Sequence, residues 1–169
     1  MIQIYIAVTG AAAAALCDWK TRKIPNALTL SMIVLGLILG YWSEGLPGLK
    51  QSFFGLIVGI LFLYFPFAWG GVGGGDVKLV GAVGSLLGPA LVFQIFLASA
   101  VFGGIFSVAA MIKGKAFRKT LRNIKDKALF FFLTRKVLPE VEGAQNDKRL
   151  KIPYACAIGC GTLFVLFVL

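Results

Sequence analysis

Two carboxylates in this chain stand where carboxylates are expensive. Asp18 follows the uncharged run 1–17, and Asp76 follows the uncharged run 51–75, at the end of Gly70-Gly71-Val72-Gly73-Gly74-Gly75. Ionisable groups at the margin of an apolar span are costly and frequently functional. The other five of the seven acidic residues, Glu44, Asp126, Glu140, Glu142 and Asp147, fall in polar connections. Two carboxylates that can approach each other can share a proton. One then acts as base toward water, and the other as acid toward a carbonyl or a leaving amine. The chain contains no histidine, which excludes Ser-His and Cys-His nucleophile pairs and removes the commonest zinc ligand. Hydrolysis by an aspartate pair requires no histidine, metal or cofactor, and no metal or cofactor is expected.

The surroundings of each carboxylate add to this reading. Asp18 opens the stretch Asp18-Trp19-Lys20-Thr21-Arg22-Lys23-Ile24-Pro25-Asn26, which places the cations Lys20, Arg22 and Lys23 beside it. Pro25-Asn26 marks the start of the next helix, because Pro suits a first helical turn and Asn is a good cap. Before Asp76, the glycines Gly73, Gly74 and Gly75 let backbone approach another group closely and leave amides free for an extended peptide. Asp76 then opens a helix, where the positive dipole end favours an anion. The plainer alternative for Asp18 is an interfacial charge that ends a helix. For Asp76 it is a glycine turn with an aspartate cap. A phosphate loop is not indicated, since no strand precedes the glycines and no Gly-Lys-Ser/Thr follows them.

The elements that must hold these residues follow from composition. The chain of 169 residues is 59% hydrophobic and 14% charged, with a mean hydropathy of +0.88, against about 45–50% and 25% in soluble domains. Seventeen basic against seven acidic residues give a net charge of +10. The basic residues lie in the gaps between apolar runs, so membrane rather than nucleic acid is the expected partner. Uncharged runs cover 1–17, 24–43, 51–75, 79–112 and 152–169, and a span needs about 20 apolar residues. Gly88-Pro89 splits the longest run. The sequence therefore predicts a single all-α, polytopic membrane domain over 1–169. Its six transmembrane helices lie at about 1–17, 26–43, 51–69, 77–88, 89–112 and 152–169. The fourth is short and Gly-rich, about 18 Å long, and is either a short span or a buried re-entrant helix.

With six spans, every basic residue but Lys50 falls on one side. The positive-inside rule then puts loops 18–25, 70–76 and 113–151 in the cytoplasm and both termini outside, in a cytoplasmic (inner) membrane. Within 115–136, Phe117, Leu121, Ile124, Ala128 and Phe131 recur at helical spacing among basic residues. That pattern predicts a cytoplasmic amphipathic helix lying on the lipid surface. Residues 139–151 read as a polar linker. Cys17, Cys156 and Cys160 sit in or beside apolar spans and read as small buried hydrophobes.

At the two aspartates the chain resembles the type IV prepilin peptidases, the GxGD-class aspartic membrane proteases. The matching stretches are Asp18 to Asn26 and Gly73-Gly74-Gly75-Asp76-Val77-Lys78-Leu79. The resemblance implies a six-helix peptidase that removes the short basic leader of prepilin-like proteins after a glycine, at the cytoplasmic membrane face. It implies Asp18 and Asp76 as the catalytic pair, with Gly73, Gly74, Gly75, Lys78, Lys20, Arg22, Lys23, Pro25 and Asn26 binding substrate or supporting the pair. Larger members carry an N-terminal segment with two CxxC pairs and also methylate. No CxxC occurs here, so the short form of Tad/Flp-type or preflagellin peptidases is expected, without methyltransferase activity. A homo-oligomer is left open. Two other classes of function fit the aspartates. One is a small ion or proton-coupled transporter using Asp18 and Asp76 as a cation site. The other is a structural subunit of a secretion assembly with the aspartates as caps.

Overall fold

Every element among the described residues is a helix. The computed structural model describes residues 2–68, 71–113 and 154–168, with 110–113 as backbone only. Five helices follow in order: α1 Ile2–Thr21, α2 Asn26–Glu44, α3 Leu46–Ala68, α4 Gly74–Lys113 and α5 Tyr154–Val168. The first four are long and apolar enough to cross a membrane, and α5 is a shorter apolar helix. Leu30, Trp42, Phe54, Tyr64, Val101 and Phe167 expose most or about half of their surface, as suits a body solvated by lipid tails, which are as apolar as leucine. The chain divides into two compact units, Met1–Gly104 with Pro153–Leu169, and Ile105–Ile152. The contacts that build the site all lie within the first. Most of the loop expected at 113–151, with its amphipathic stretch 115–136 and its linker 139–151, lies outside the described residues.

Three helix starts and ends differ from the sequence expectation, each for a physical reason. The first helix does not stop at residue 17 but runs through Asp18 to Thr21. Five consecutive alanines, the best helix formers, precede the carboxylate, and a charged side chain does not interrupt the backbone ladder. The helix ends at Arg22, whose φ of 53° puts it in the left-handed region. The Arg22 N–H donates to the Asp18 carbonyl at 2.8 Å, the single bond of a left-handed C-terminal cap. The third helix begins at Leu46 rather than 51. Pro47 falls in its first turn, where a missing N–H costs nothing, and Lys50 stays exposed. The fourth begins at Gly74 rather than 77, for a reason that involves Asp76 directly.

Within α4, Gly88 has φ 83° and ψ 174°, which interrupts the helix immediately before Pro89. The first half, 74–87, is then about 21 Å long at about 1.5 Å per residue. From Asp76 to Gly88 every residue except Lys78 is buried, so this short glycine-rich piece is the centre of the bundle. Its neighbours come close because they carry glycine at the crossings. A Cβ on Gly55 of α3 would land on the Gly84 carbonyl, and one on Gly59 would lie 2.6 Å from the Val80 carbonyl oxygen. A Cβ on Gly36 of α2 would meet Ser85 at 2.5 Å. Ala7, Ala11 and Ala14 of α1 are buried as well, as are Ala155, Ile158 and Gly159 of α5. Small residues permit the close backbone approach on which helix association in lipid depends.

Candidate functional site

Asp76 and the start of α4 make one another. With Gly73 as cap, Asp76 is the third helical residue, and the Gly73 N–H donates to its Oδ2 at 3.1 Å. That is half of a capping box, an acidic side chain reaching back to the cap amide. The Asp76 N–H in turn donates to the Gly73 carbonyl at 3.0 Å. This is why Gly74 and Gly75, poor helix formers, are helical at all. The expected open run of extended glycines is therefore shorter than the sequence suggests. Gly73 is irregular, Gly74 and Gly75 lie in the first turn, and Gly70 lies outside the described residues.

Capping uses one oxygen of Asp76. The side chain is only 8% exposed, and its Oδ1 is buried without a hydrogen-bond partner among the described residues. An unpaired buried polar atom costs roughly 1–3 kcal/mol. A purely structural cap gives no reason to bear that cost.

Asp18 is held by an element that is remote in sequence. It is 9% exposed, and its Oδ2 accepts the Ala155 N–H at 3.3 Å. Ala155 is the second residue of α5, and the first amides of a helix have no partner within it. The carboxylate thus caps a helix 137 residues away. Asp18 and Asp76 lie within electrostatic reach of each other. Tyr154 and Cys156, at the start of α5, lie within electrostatic reach of the carboxylates as well. Three separated segments therefore meet at one end of the bundle: 18–26, 73–78 and 154–156. The contribution of Tyr154 and Ala155 has no local signature in the sequence, since neither stands in a motif.

Of the remaining expected residues, some are gathered here and some are not. Lys78, exposed among the buried residues 76–88, donates from Nζ to Asn26 Oδ1 at 3.0 Å. Asn26 is the first helical residue of α2 rather than its cap. Pro25 occupies that position, with φ −62° and ψ 127° and no side-chain cap bond. The Pro25 carbonyl accepts the N–H groups of Leu28 and Thr29 at 3.1 and 3.4 Å. Arg22 acts electrostatically on Asp18. Lys20 and Lys23 are exposed, and no hydrogen bond or ion pair joins them to either carboxylate among the described residues. No three His, Cys, Asp or Glu side chains come together among those residues in a way that could hold a metal ion.

Gly75 serves close approach rather than a special backbone conformation. Its φ is not positive, the described glycines with positive φ being Gly45 and Gly88. Instead a Cβ there would sit 3.2 Å from Ile24 Cβ, on the link between α1 and α2. Gly75→Val is expected to push the start of α4 off that link. A displacement of about 1 Å in a positioned site costs about a hundredfold in turnover. Activity per folded protein, compared with Gly75→Ala, measures this, and equal activity in the valine variant would show the contact to be immaterial.

These features define a multi-pass helical membrane protein with two buried carboxylates at one end of its bundle. Residues 5–108 match the type IV leader peptidase family, and the chain belongs to it. It is similar to a prepilin leader peptidase/N-methyltransferase of Burkholderia pseudomallei strain 1026b, 33% identical over 105 residues, covering 58% of this chain and 34% of that protein. A preflagellin peptidase of Methanocaldococcus jannaschii is 35% identical over 91 residues, 52% of this chain and 38% of that protein. A prepilin leader peptidase/N-methyltransferase of Bacillus subtilis strain 168 is 34% identical over 77 residues, 46% and 29% respectively. The matched stretch thus spans about a third of the length of these curated relatives. No solved structure matches the chain.

Proposed function

We propose that this chain is a membrane aspartic endopeptidase. It removes the short basic leader of prepilin-like proteins after a glycine, at the cytoplasmic membrane face, and so serves assembly of a type IV pilus, a Tad pilus, an archaellum or a type II secretion system. Asp18 and Asp76 are its catalytic pair. The observation that carries the reading is the buried Asp76 Oδ1, free of any partner among the described residues, on a carboxylate within electrostatic reach of a second buried aspartate.

The chemistry needs one carboxylate ionised and one protonated, the natural state of two acids that share a site. A water between them gives a proton to the ionised partner as its oxygen bonds to the scissile carbonyl carbon. The protonated partner gives its proton to the carbonyl oxygen. The tetrahedral diol then collapses. Its C–N bond breaks, the nitrogen takes the proton that came from water, and one hydroxyl returns a proton to the other carboxylate. Ala155 N–H and Gly73 N–H hold one oxygen of each aspartate and leave the others for water and substrate.

The direct test uses the purified chain and a probe with a basic leader ending in glycine, joined to an apolar helix. Release of the leader with a glycine carboxyl terminus, measured by mass, supports the reading. An intact probe, with proton or cation flux in vesicles that is lost in Asp76→Asn, favours the transporter.

The proposed orientation puts both termini outside and the catalytic loops in the cytoplasm. A reporter fused after Leu169 should read as extracytoplasmic, and one inserted near Ala144 as cytoplasmic. If both report one compartment, residues 77–88 do not cross as drawn.

A further inference from the structure

We propose that Lys78 and Asn26 form a clasp that sets the position of Asp76 relative to Asp18. They act as positioning residues rather than contacts for substrate, and the inference rests on the peptidase reading above. The two aspartates belong to segments with no covalent reason to stay in register. Asp18 is in the last turn and a half of α1, and Asp76 is in the first turn of α4, with two full helices between them. What bridges them is local. Asn26 is the first residue of α2 and follows Asp18 by a turn of helix and a four-residue link. Lys78 follows Asp76 by two residues in the same helix. The bond from Lys78 Nζ to Asn26 Oδ1, 3.0 Å, joins side chains 52 residues apart. Immediately beside it, Gly75 lies against Ile24. Val77 belongs to the buried apolar cluster against which Ile24 and Leu28 also pack. The start of α4 is thus fastened to the α1–α2 link twice, once by packing and once by a charged hydrogen bond.

Lys78 is otherwise hard to explain. It is exposed, while its neighbours Asp76, Val77, Leu79 and Val80 are all buried. No carboxylate pairs with it among the described residues. Its long stem can lie along apolar surface while the ammonium reaches polar surroundings, and there it finds the Asn26 carbonyl oxygen. Hydrogen bonds with one charged partner are about twice as strong as neutral ones. The crossings with α3 hold α4 at Val80 and Gly84, one and two turns further in, and packing at Ile24 holds its start without direction. A directional bond one turn beyond Gly75 restrains the first turn itself, whose shift would swing the Asp76 carboxylate.

The test is a double-mutant cycle in the full chain, read by steady-state cleavage of the leader–helix probe and by thermal unfolding in detergent. Lys78→Met and Asn26→Leu are each expected to lower kcat by about ten- to a hundredfold with KM little changed, the scale of a misplaced catalytic group. The double variant should be no worse than either single one, because both remove the same bond. Lys78→Arg, which can still donate, should recover most of the loss. If the single variants do not fold, Asn26→Asp, which keeps the acceptor and adds a charge, carries the test and should retain kcat. Losses that multiply, a change confined to KM, or no recovery in Lys78→Arg would each overturn the clasp. Wild-type chain that fails to cleave the probe would instead overturn the peptidase reading. The unfolding cycle separates the two, since coupling between Lys78 and Asn26 in stability is expected whether or not the chain cleaves anything.

Discussion

Asp18→Asn and Asp76→Asn are each expected to abolish leader cleavage while leaving a folded membrane protein. The loss should be on the order of ten-thousandfold in kcat, the scale found when one member of a catalytic unit is removed. The fold should survive because asparagine keeps the oxygen each position uses structurally. The amide oxygen introduced by Asp76→Asn can still accept the Gly73 N–H, and the one introduced by Asp18→Asn can still accept the Ala155 N–H. What disappears is the capacity to take and give a proton. The double variant should be no worse than either single one, because the two act as one unit. Asp76→Glu separates catalysis from capping. A glutamate in the third helical position is the preferred partner in a capping box, so if Asp76 were only a cap, Glu would serve as well or better. As half of a proton-sharing pair, Glu should fail, because the added methylene moves the carboxylate beyond the tolerance of a positioned site. Full cleavage by any of these variants, in membranes free of other peptidases, would remove this pair as the catalytic centre.

The candidate residues are legible in the sequence because the pair declares itself by contrast. In a chain without histidine, Asp18 and Asp76 adjoin apolar runs beside a cluster of cations or of glycines, whereas Glu44 ends its run in a short connection and the other four lie within 113–151. The interruption before Pro89 is legible because proline removes a helix donor and the glycine before it readily takes the positive φ found at Gly88. What cannot be read is anything requiring two distant segments to meet. Nothing around Ala155 announces an amide that caps Asp18, because a backbone N–H leaves no trace in residue type. Propensity marks Asn26 as a helix cap, whereas Pro25 takes that position and the Asn26 side chain meets Lys78, 52 residues away. Charges mislead at helix ends. Asp18 and Lys50 mark boundaries between uncharged runs, yet both lie inside helices. A charge limits how deeply a residue can sit in lipid, while the backbone ladder continues until a cap, a proline or a left-handed residue stops it. The glycines before Asp76 announce a close approach, but the partner at Gly75, Ile24, comes from another segment and cannot be read from the motif.

The same distinction governs the largest expected effect on stability, which lies not at the site but behind it. Gly84→Leu and Gly55→Leu are each expected to prevent accumulation of folded protein. At this crossing of α3 and α4, a Cβ on either glycine would fall on the other's backbone carbonyl, and one on Gly55 would also lie 2.9 Å from the Gly88 carbonyl carbon. A flexible side chain could swing aside, but a helix backbone can only move as a whole. Ordinary overpacking in a core costs about 1–3 kcal/mol, and separating two helices also forfeits the packing at the neighbouring Gly59–Val80 contact. Against a total stability of roughly 5–15 kcal/mol, that is a large share. Gly84→Ala should lower the unfolding temperature by less and still reduce kcat, because the first half of α4 carries Asp76 and is held in place by α3. Combining Gly55→Ala with Gly84→Ala should cost less than the sum of the two, since the first substitution already opens the gap the second needs. Gly104→Ala is the control. Nothing among the described residues lies within 4 Å of a Cβ there, and replacing glycine by alanine within a helix is favourable by about 0.5–1 kcal/mol. Thermal unfolding in detergent of these variants is the measurement. An unfolding temperature in Gly84→Leu equal to wild type would mean that the α3–α4 crossing does not hold the bundle together, and the placement of Asp76 would need another support.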